Sequence, residues 1–419
     1  VIGKAWRAAR SVVPPGHLDA AGCNVPGDRV FDAVAGHLRL ERERGGYAAE
    51  PDLTGPKSAL ATLIGASGSV GAIGEGFAAG PVGAGGEGCA VGAVGAGGAS
   101  PGDVAFVESG TAAMAALLGG WRLPPGSRVG FARTEYGSTL MLLRRLAAGR
   151  SWTLVELPVD ADSRLDLDGL DAALATGLDL VTLVHIASHR GVVQPAREAG
   201  ALCRAAGVPL VLDACQSFGH TDVSGVGATA YVGTSRKWLA GPRGVGFLIV
   251  PGLATEMDAA APALGGHAWA ADGSPEPLPG AIRYEGSEGA IASRVGLGVA
   301  VREYQELGPA DLHEHVAELG RTTRHLLHGA GGWQVAEPLD EPSAIVTLRP
   351  PAGDSVEAAR ARAAAAGLLV GAAPVARAPL DLREPVLRVS PAPGTEAETL
   401  HTLARVLSAP YGPTRPPAC

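Results

Sequence analysis

Val208-Pro209-Leu210-Val211-Leu212-Asp213-Ala214-Cys215-Gln216-Ser217-Phe218-Gly219-His220 carries the pattern on which the reading of this chain turns. Its short apolar, uncharged run predicts a strand of a parallel sheet, buried on both faces, with Asp213 at the carboxyl end. Open α/β sheets bind their ligands at that end of the strands. One strand-loop-strand later comes Thr234-Ser235-Arg236-Lys237-Trp238-Leu239-Ala240-Gly241-Pro242-Arg243-Gly244. Lys237 is one of three lysines in 419 residues, and the other two, Lys4 and Lys57, read as surface lysines. Arginine carries nearly all the remaining positive charge, and because it stays protonated it is a poor nucleophile. A primary amine kept in such a motif points to chemistry that arginine cannot do, namely condensation with an aldehyde cofactor to a Schiff base. Asp213 alone would equally suit a helix N-cap. Beside Lys237 it suits a carboxylate that keeps a pyridine nitrogen protonated, with Gln216 within reach of the ring's phenolic oxygen.

Working outward, the chain alternates strand and helix patterns. Strands are predicted over 104–108, 128–132, 153–158, 180–186, 210–214, 230–233 and 245–250, with helices over 110–119, 138–148, 167–175 and 196–206. Such alternation implies right-handed crossovers and an α/β fold with a mostly parallel seven-stranded sheet. From about 309 the pattern becomes helix, two strands, helix, two strands, helix, which predicts a small α+β C-terminal domain over 309–409. Residues 1–50 read as an N-terminal arm joining that small domain, and 51–308 as the large domain. Within the latter, 66–99 is dominated by glycine and alanine and reads as a flexible insert, while 410–419 reads as a disordered tail.

Bulk properties narrow the function. A net charge of −8 and a pI near 5.8 argue against nucleic acid or an anionic membrane surface as partner. No apolar run reaches membrane-spanning length and the start shows no leader pattern, so a cytoplasmic protein is expected. The five cysteines lack paired or metal-like spacing, so no metal site is read.

The stretch from Asp213 to Val250 resembles the class V aminotransferase superfamily of fold type I pyridoxal-phosphate enzymes. Further segments carry the likeness: Trp6-Arg7-Ala8-Ala9-Arg10, Arg44-Gly45-Gly46-Tyr47, Ala187-Ser188-His189-Arg190-Gly191 and Val386-Leu387-Arg388-Val389-Ser390-Pro391. Within the class the chain is most similar to the ergothioneine-biosynthesis β-lyases. The resemblance implies pyridoxal 5′-phosphate on Lys237, a homodimer, and a small amino-acid substrate. It also implies a phosphate cup of Ser109-Gly110-Thr111 with Thr234 and Arg236, the arginine standing where many members have histidine. Tyr136 would stack on the pyridine face, and Ser188 replaces an asparagine near the phenolic oxygen. Arg388 would clamp the substrate carboxylate, with Tyr47 a further substrate contact. The loop Tyr284-Glu285-Gly286-Ser287-Glu288 would reach the neighbouring subunit's site.

Four functions compete: a C–S β-lyase, a cysteine desulfurase or selenocysteine lyase, an aminotransferase or epimerase, and a non-enzymatic relative. A desulfurase needs a thiol on a small-domain loop shortly before the carboxylate arginine, and 361–388 contains no cysteine. Aminotransfer would use the same cofactor residues and stays open; the resemblance to the β-lyases implies β-elimination from hercynylcysteine S-oxide to ergothioneine, pyruvate and ammonia.

Overall fold

The computed structural model describes residues 1–65, 99–286 and 288–409. The Gly/Ala-rich stretch and the C-terminal tail singled out above lie outside the described residues, apart from Ala99, which is buried. Seven strands build the large sheet: β1 (Val104–Val107), β2 (Arg128–Ala132), β3 (Thr153–Leu157), β4 (Leu180–Val184), β5 (Leu210–Asp213), β6 (Ala230–Thr234) and β7 (Gly246–Ile249). Their spatial order is β1-β7-β6-β5-β4-β2-β3. β7 runs antiparallel to both its neighbours, and every other pairing is parallel.

Side-chain alternation assigns the two faces. Leu210 and Leu212 of β5 enter one core with Ala196, Ala199 and Cys203 of the helix Ala196–Ala205. Val211 enters the other, with Met114 and Leu117 of the helix Gly110–Gly120 and Leu140 and Leu143 of the helix Gly137–Arg150. Helices thus cover both faces, so β4 and β5 are buried at every position. The helix starts are set locally: the Ser109 hydroxyl accepts the Ala112 N–H, and Asp166 accepts those of Asp168 and Gly169.

Gly308, at φ +80°, breaks the long helix Ile291–Glu306 from Pro309–Leu327, which carries its proline in the first turn. Beyond it lie the helices Val356–Ala365 and Ala397–Ser408. A five-stranded sheet runs His17–Leu18, Leu369–Ala373, Val386–Val389, Val346–Arg349, Gln334–Val335. The N-terminal arm divides between the domains. Ile2–Ala8 and His17–Leu18 join the small domain, whereas Asp28–Arg44 packs on Ile291–Glu306 through Val30, Val299 and Ala300. Lys57, expected at the surface, is largely buried and pairs with Glu285 at 2.8 Å. No helix of the described residues is long and apolar enough to cross a membrane.

Buried polar groups join the domains. His220 stacks on Trp238 with ring centroids 3.8 Å apart. Its Nδ1–H donates to the Gln216 carbonyl at 2.9 Å, and Nε2 accepts the small-domain Ala344 N–H at 2.8 Å. Ser343 donates to the Gly191 carbonyl, and Glu341 accepts the Val193 N–H and pairs with Arg164. Burial lowers His220 from 6.5 to about 3 and His185 from 6.5 to about 4, so both are neutral in the fold. Below pH 6.5 the unfolded chain binds more protons than the native one. Stability from these groups is complete above that pH and is lost as pH falls towards 3. Urea midpoints should therefore drop between pH 7 and pH 4.5. His220→Gln should start lower at pH 7 and show a shallower pH dependence, as checked by fluorescence-monitored unfolding.

Candidate active site

The carboxyl ends of the parallel strands converge on a cavity of about 720 Å³ between the domains. Parallel pairing of β5 with β6 sets Asp213 opposite Val232, so Asp213 and the loop carrying Lys237 open into the same space. Ser109, Gly110 and Thr111 follow β1, Tyr136 follows β2, and Ser188 follows β4. Gln216 follows β5, Thr234 ends β6 with Arg236 just beyond it, and Arg388 enters from the small-domain strand Val386–Val389. All of these line the cavity. Tyr47 does not: it is 85% exposed, and its hydroxyl donates to Glu288 at 2.9 Å. Ser287 lies outside the described residues.

The Lys237 carbonyl accepts the Ala240 N–H at 2.9 Å, while its Nζ makes no hydrogen bond or ion pair among the described residues. Burial lowers its pKa from 10.5 to about 8, with Cys215 and Asp213 pulling it back up and Arg236 and Arg388 pushing it further down. Immediately beyond it, Ala240 takes a left-handed φ of +53°, which costs about 1–2 kcal/mol in a residue with a Cβ. Asp213 Oδ1 accepts the Cys215 N–H at 2.9 Å, and the Cys215 thiol also lies within hydrogen-bonding reach of this carboxylate.

Gln216 is a brace rather than a free reaching arm. Its oxygen accepts Trp238 Nε1–H at 2.9 Å and its nitrogen donates to the Ala21 carbonyl at 3.0 Å. That bond ties the N-terminal arm to the site loop, as does Asn24 N–H to the Arg236 carbonyl at 2.8 Å.

Several site residues were not legible from the sequence. Asp19 accepts Arg388 Nη2–H at 2.9 Å, leaving Nε and Nη1 of this buried arginine without partners. Thr134 lines the cavity with its hydroxyl buried and unpartnered. Behind it Glu135 is buried with both carboxyl oxygens unpartnered, and burial together with the Asp213 charge raises its pKa to about 8. His189, in the segment beside Ser188, pairs with Asp381 of the small domain at 2.7 Å. Cys215 also faces the cavity, but burial and the neighbouring Asp213 charge hold its thiol well above its usual pKa.

These residues fit pyridoxal phosphate. A Cβ at Gly110 would overlap the Cys215 sulfur, so only glycine leaves room at this helix start, where free N–H groups suit a phosphate. An amine at Lys237, a carboxylate at Asp213 and an aromatic ring at Tyr136, all lining the cavity, complete the set a phosphorylated pyridine aldehyde requires.

Comparison with known proteins agrees with this site. The profile described as aminotransferase class-V matches residues 96–368. A protein of Mycobacterium tuberculosis (strain CDC 1551 / Oshkosh), described as a probable hercynylcysteine sulfoxide lyase, is 37% identical over 96% of this chain and 92% of its own. A probable cysteine desulfurase of Synechocystis sp. is 30% identical over 55% of this chain and 56% of its own. Among solved structures, the cysteine desulfurase of Thermococcus onnurineus NA1 superposes with a TM-score of 0.75 at 18% identity, covering 94% of this chain and 93% of that one. The cystine C–S lyase C-DES gives 0.77 at 18% identity, over 94% and 97%.

Lys237 is protonated below about pH 8 and reactive above it. Cofactor-free protein should therefore capture pyridoxal phosphate faster as pH rises through about 8, read as growth of the visible band. Asp213→Asn removes a charge that raises this pKa, so the midpoint should move to lower pH. Borohydride reduction and peptide mapping should place the label on Lys237; a label elsewhere would overturn the assignment.

Proposed function

The chain belongs to the aminotransferase class-V family of pyridoxal-phosphate enzymes, and on that premise we propose that it is a carbon–sulfur β-lyase. Its substrate would be hercynylcysteine S-oxide, and its products pyruvate, ammonia and a sulfenate that is reduced to ergothioneine. The observation that carries this reading is the state of the cavity's sulfur chemistry. Cys215 is the one cysteine lining the cavity among the described residues, and its thiol stays protonated. A desulfurase attacks its substrate's sulfur with a thiolate. Without one, sulfur must leave on its own, and an S-oxide lets it depart as a stabilised sulfenate. The 37% identity with the mycobacterial protein points the same way.

When bound, the cofactor supplies an electron sink for the pair released at the substrate's Cα. Arg388, which keeps buried N–H donors unused beside its bond to Asp19, would bind the α-carboxylate and so orient the substrate's Cα. Lys237 Nζ, freed once the substrate amine takes its place, removes the Cα proton. The Asp213 carboxylate would hold a proton on the ring nitrogen, and Tyr136 would cover the ring face. The Cβ–S bond then breaks and sulfur leaves with its electron pair. Water converts the three-carbon remainder to pyruvate and ammonia. Reduction of the sulfenate takes two electrons from an external thiol.

The family reading also implies a homodimer. Phe31 and Leu38 are 69% and 53% exposed, one heptad apart on the helix Asp28–Arg44, with exposed Tyr47 just beyond its end. Joint replacement, Phe31→Glu with Leu38→Glu, should shift the protein towards monomer in sedimentation velocity.

Purified holoenzyme given hercynylcysteine S-oxide should release pyruvate and ergothioneine together. Lys237→Ala should lose this turnover by several orders of magnitude. Arg388→Lys keeps the charge but loses the fork, and should raise KM at least about tenfold. Alanine formed from cysteine, or amine transfer to a keto acid without pyruvate, would replace the lyase reading with desulfurase or aminotransferase chemistry.

A further inference from the structure

The cavity is rich in cations, and one of them has no role in the site as described so far. Arg236, Lys237, Arg243, Arg360, Arg377 and Arg388 line it, against Asp19, Glu108, Asp213 and Glu357. Lys237 is committed to the aldehyde, Arg236 lies beside the phosphate cup, and Arg388 is held by Asp19. Arg360 donates Nε–H to the Val370 carbonyl. Arg243 is exposed.

Arg377 has no such partner. It sits on the small-domain turn Val375–Arg377, and its Nε is buried without a hydrogen bond. Its guanidinium carbon lies 6.0 Å from the centroid of the Tyr136 ring. The turn is placed there by a glycine: a Cβ on Gly137 would overlap the Ala376 carbonyl oxygen, so only glycine lets the turn close on this helix start. Burial and then the charge of Arg388 hold the Arg377 pKa below its usual value against smaller opposing contributions from Tyr136 and Asp19, so the guanidinium is partly stripped of water and lies near a second cation. Two arginines in that relation are relieved by a ligand that brings an anion to each.

We propose that Arg377 is a specificity residue that binds a second carboxylate of the substrate, on the leaving-group side. This rests on the lyase reading, because hercynylcysteine S-oxide carries two carboxylates, one on the amino-acid end for Arg388 and one on the betaine end. The enzyme would then select dicarboxylate sulfoxides over those with a neutral leaving group.

The test compares two S-oxides in the holoenzyme: hercynylcysteine S-oxide and its analogue with the betaine carboxylate replaced by hydrogen. The visible band confirms that each variant keeps its cofactor. Arg377→Met should lower kcat/KM for the full substrate by about thirtyfold, mainly through KM, while leaving the analogue within about threefold. Arg377→Lys should recover part of the preference. Equal losses on both compounds would reduce Arg377 to a support for Tyr136 and overturn the inference, as would a wild type that does not distinguish the two. Absence of pyruvate from wild-type enzyme with either compound would instead remove the lyase reading, and this inference with it.

Discussion

Everything in the site depends on one register. β5 and β6 pair in parallel with Asp213 opposite Val232, so a carboxylate and an amine emerge from adjacent strands into a space from which water is largely excluded. Exclusion of water is what lowers the amine towards neutrality, and the carboxylate is what keeps that lowering moderate. The surrounding architecture serves this arrangement. Helices on both faces bury the two strands, the reversed β7 closes one flank, and Gly110 leaves space where a side chain would intrude.

The small domain completes the site. Arg388 and Arg377 come from it, and its seat on the large domain is fixed by buried polar contacts from His220, Gly191 and Val193. The N-terminal arm works between the two. Its first strand extends the small sheet and delivers Asp19 to Arg388, while Ala21 and Asn24 bind the loop beyond. On the proposed reading, an amino acid bound by Arg388 would meet a ring held by the other domain. Separate bodies thus position the two halves of the reacting pair.

The large sheet was legible because its strands are short apolar runs punctuated by glycine, and strand ends predict where ligands meet backbone. The predicted strands 128–132 and 210–214 correspond to Arg128–Ala132 and Leu210–Asp213. What escaped depends on distance along the chain or on burial of polar groups. Asp19 meets Arg388 across 369 positions, a pairing that no local pattern reveals. Nothing local in the sequence marks Glu135 for burial, yet it is buried close enough to Asp213 to feel its charge. Gln216 lines the cavity, but Trp238 and Ala21 occupy the amide that the sequence offers to the ring. Tyr47 belongs to a familiar segment, but the turn after Asp28–Arg44 carries it outward to Glu288. The arm was read as one unit because nothing in its composition marks the point where it changes partner.

Glu135 gives the cofactor-free site an alkaline edge. It ionises at about 8, where Lys237 also gives up its proton. Below that pH the buried trio of Lys237, Asp213 and Glu135 is electrically balanced, one positive charge against one negative. Above it, the positive charge disappears as a second negative one appears, a swing of two units in a region of low dielectric. The pH change that frees the amine for the aldehyde therefore also adds a negative charge close to Asp213, so the site's reactivity and its electrostatic character change together.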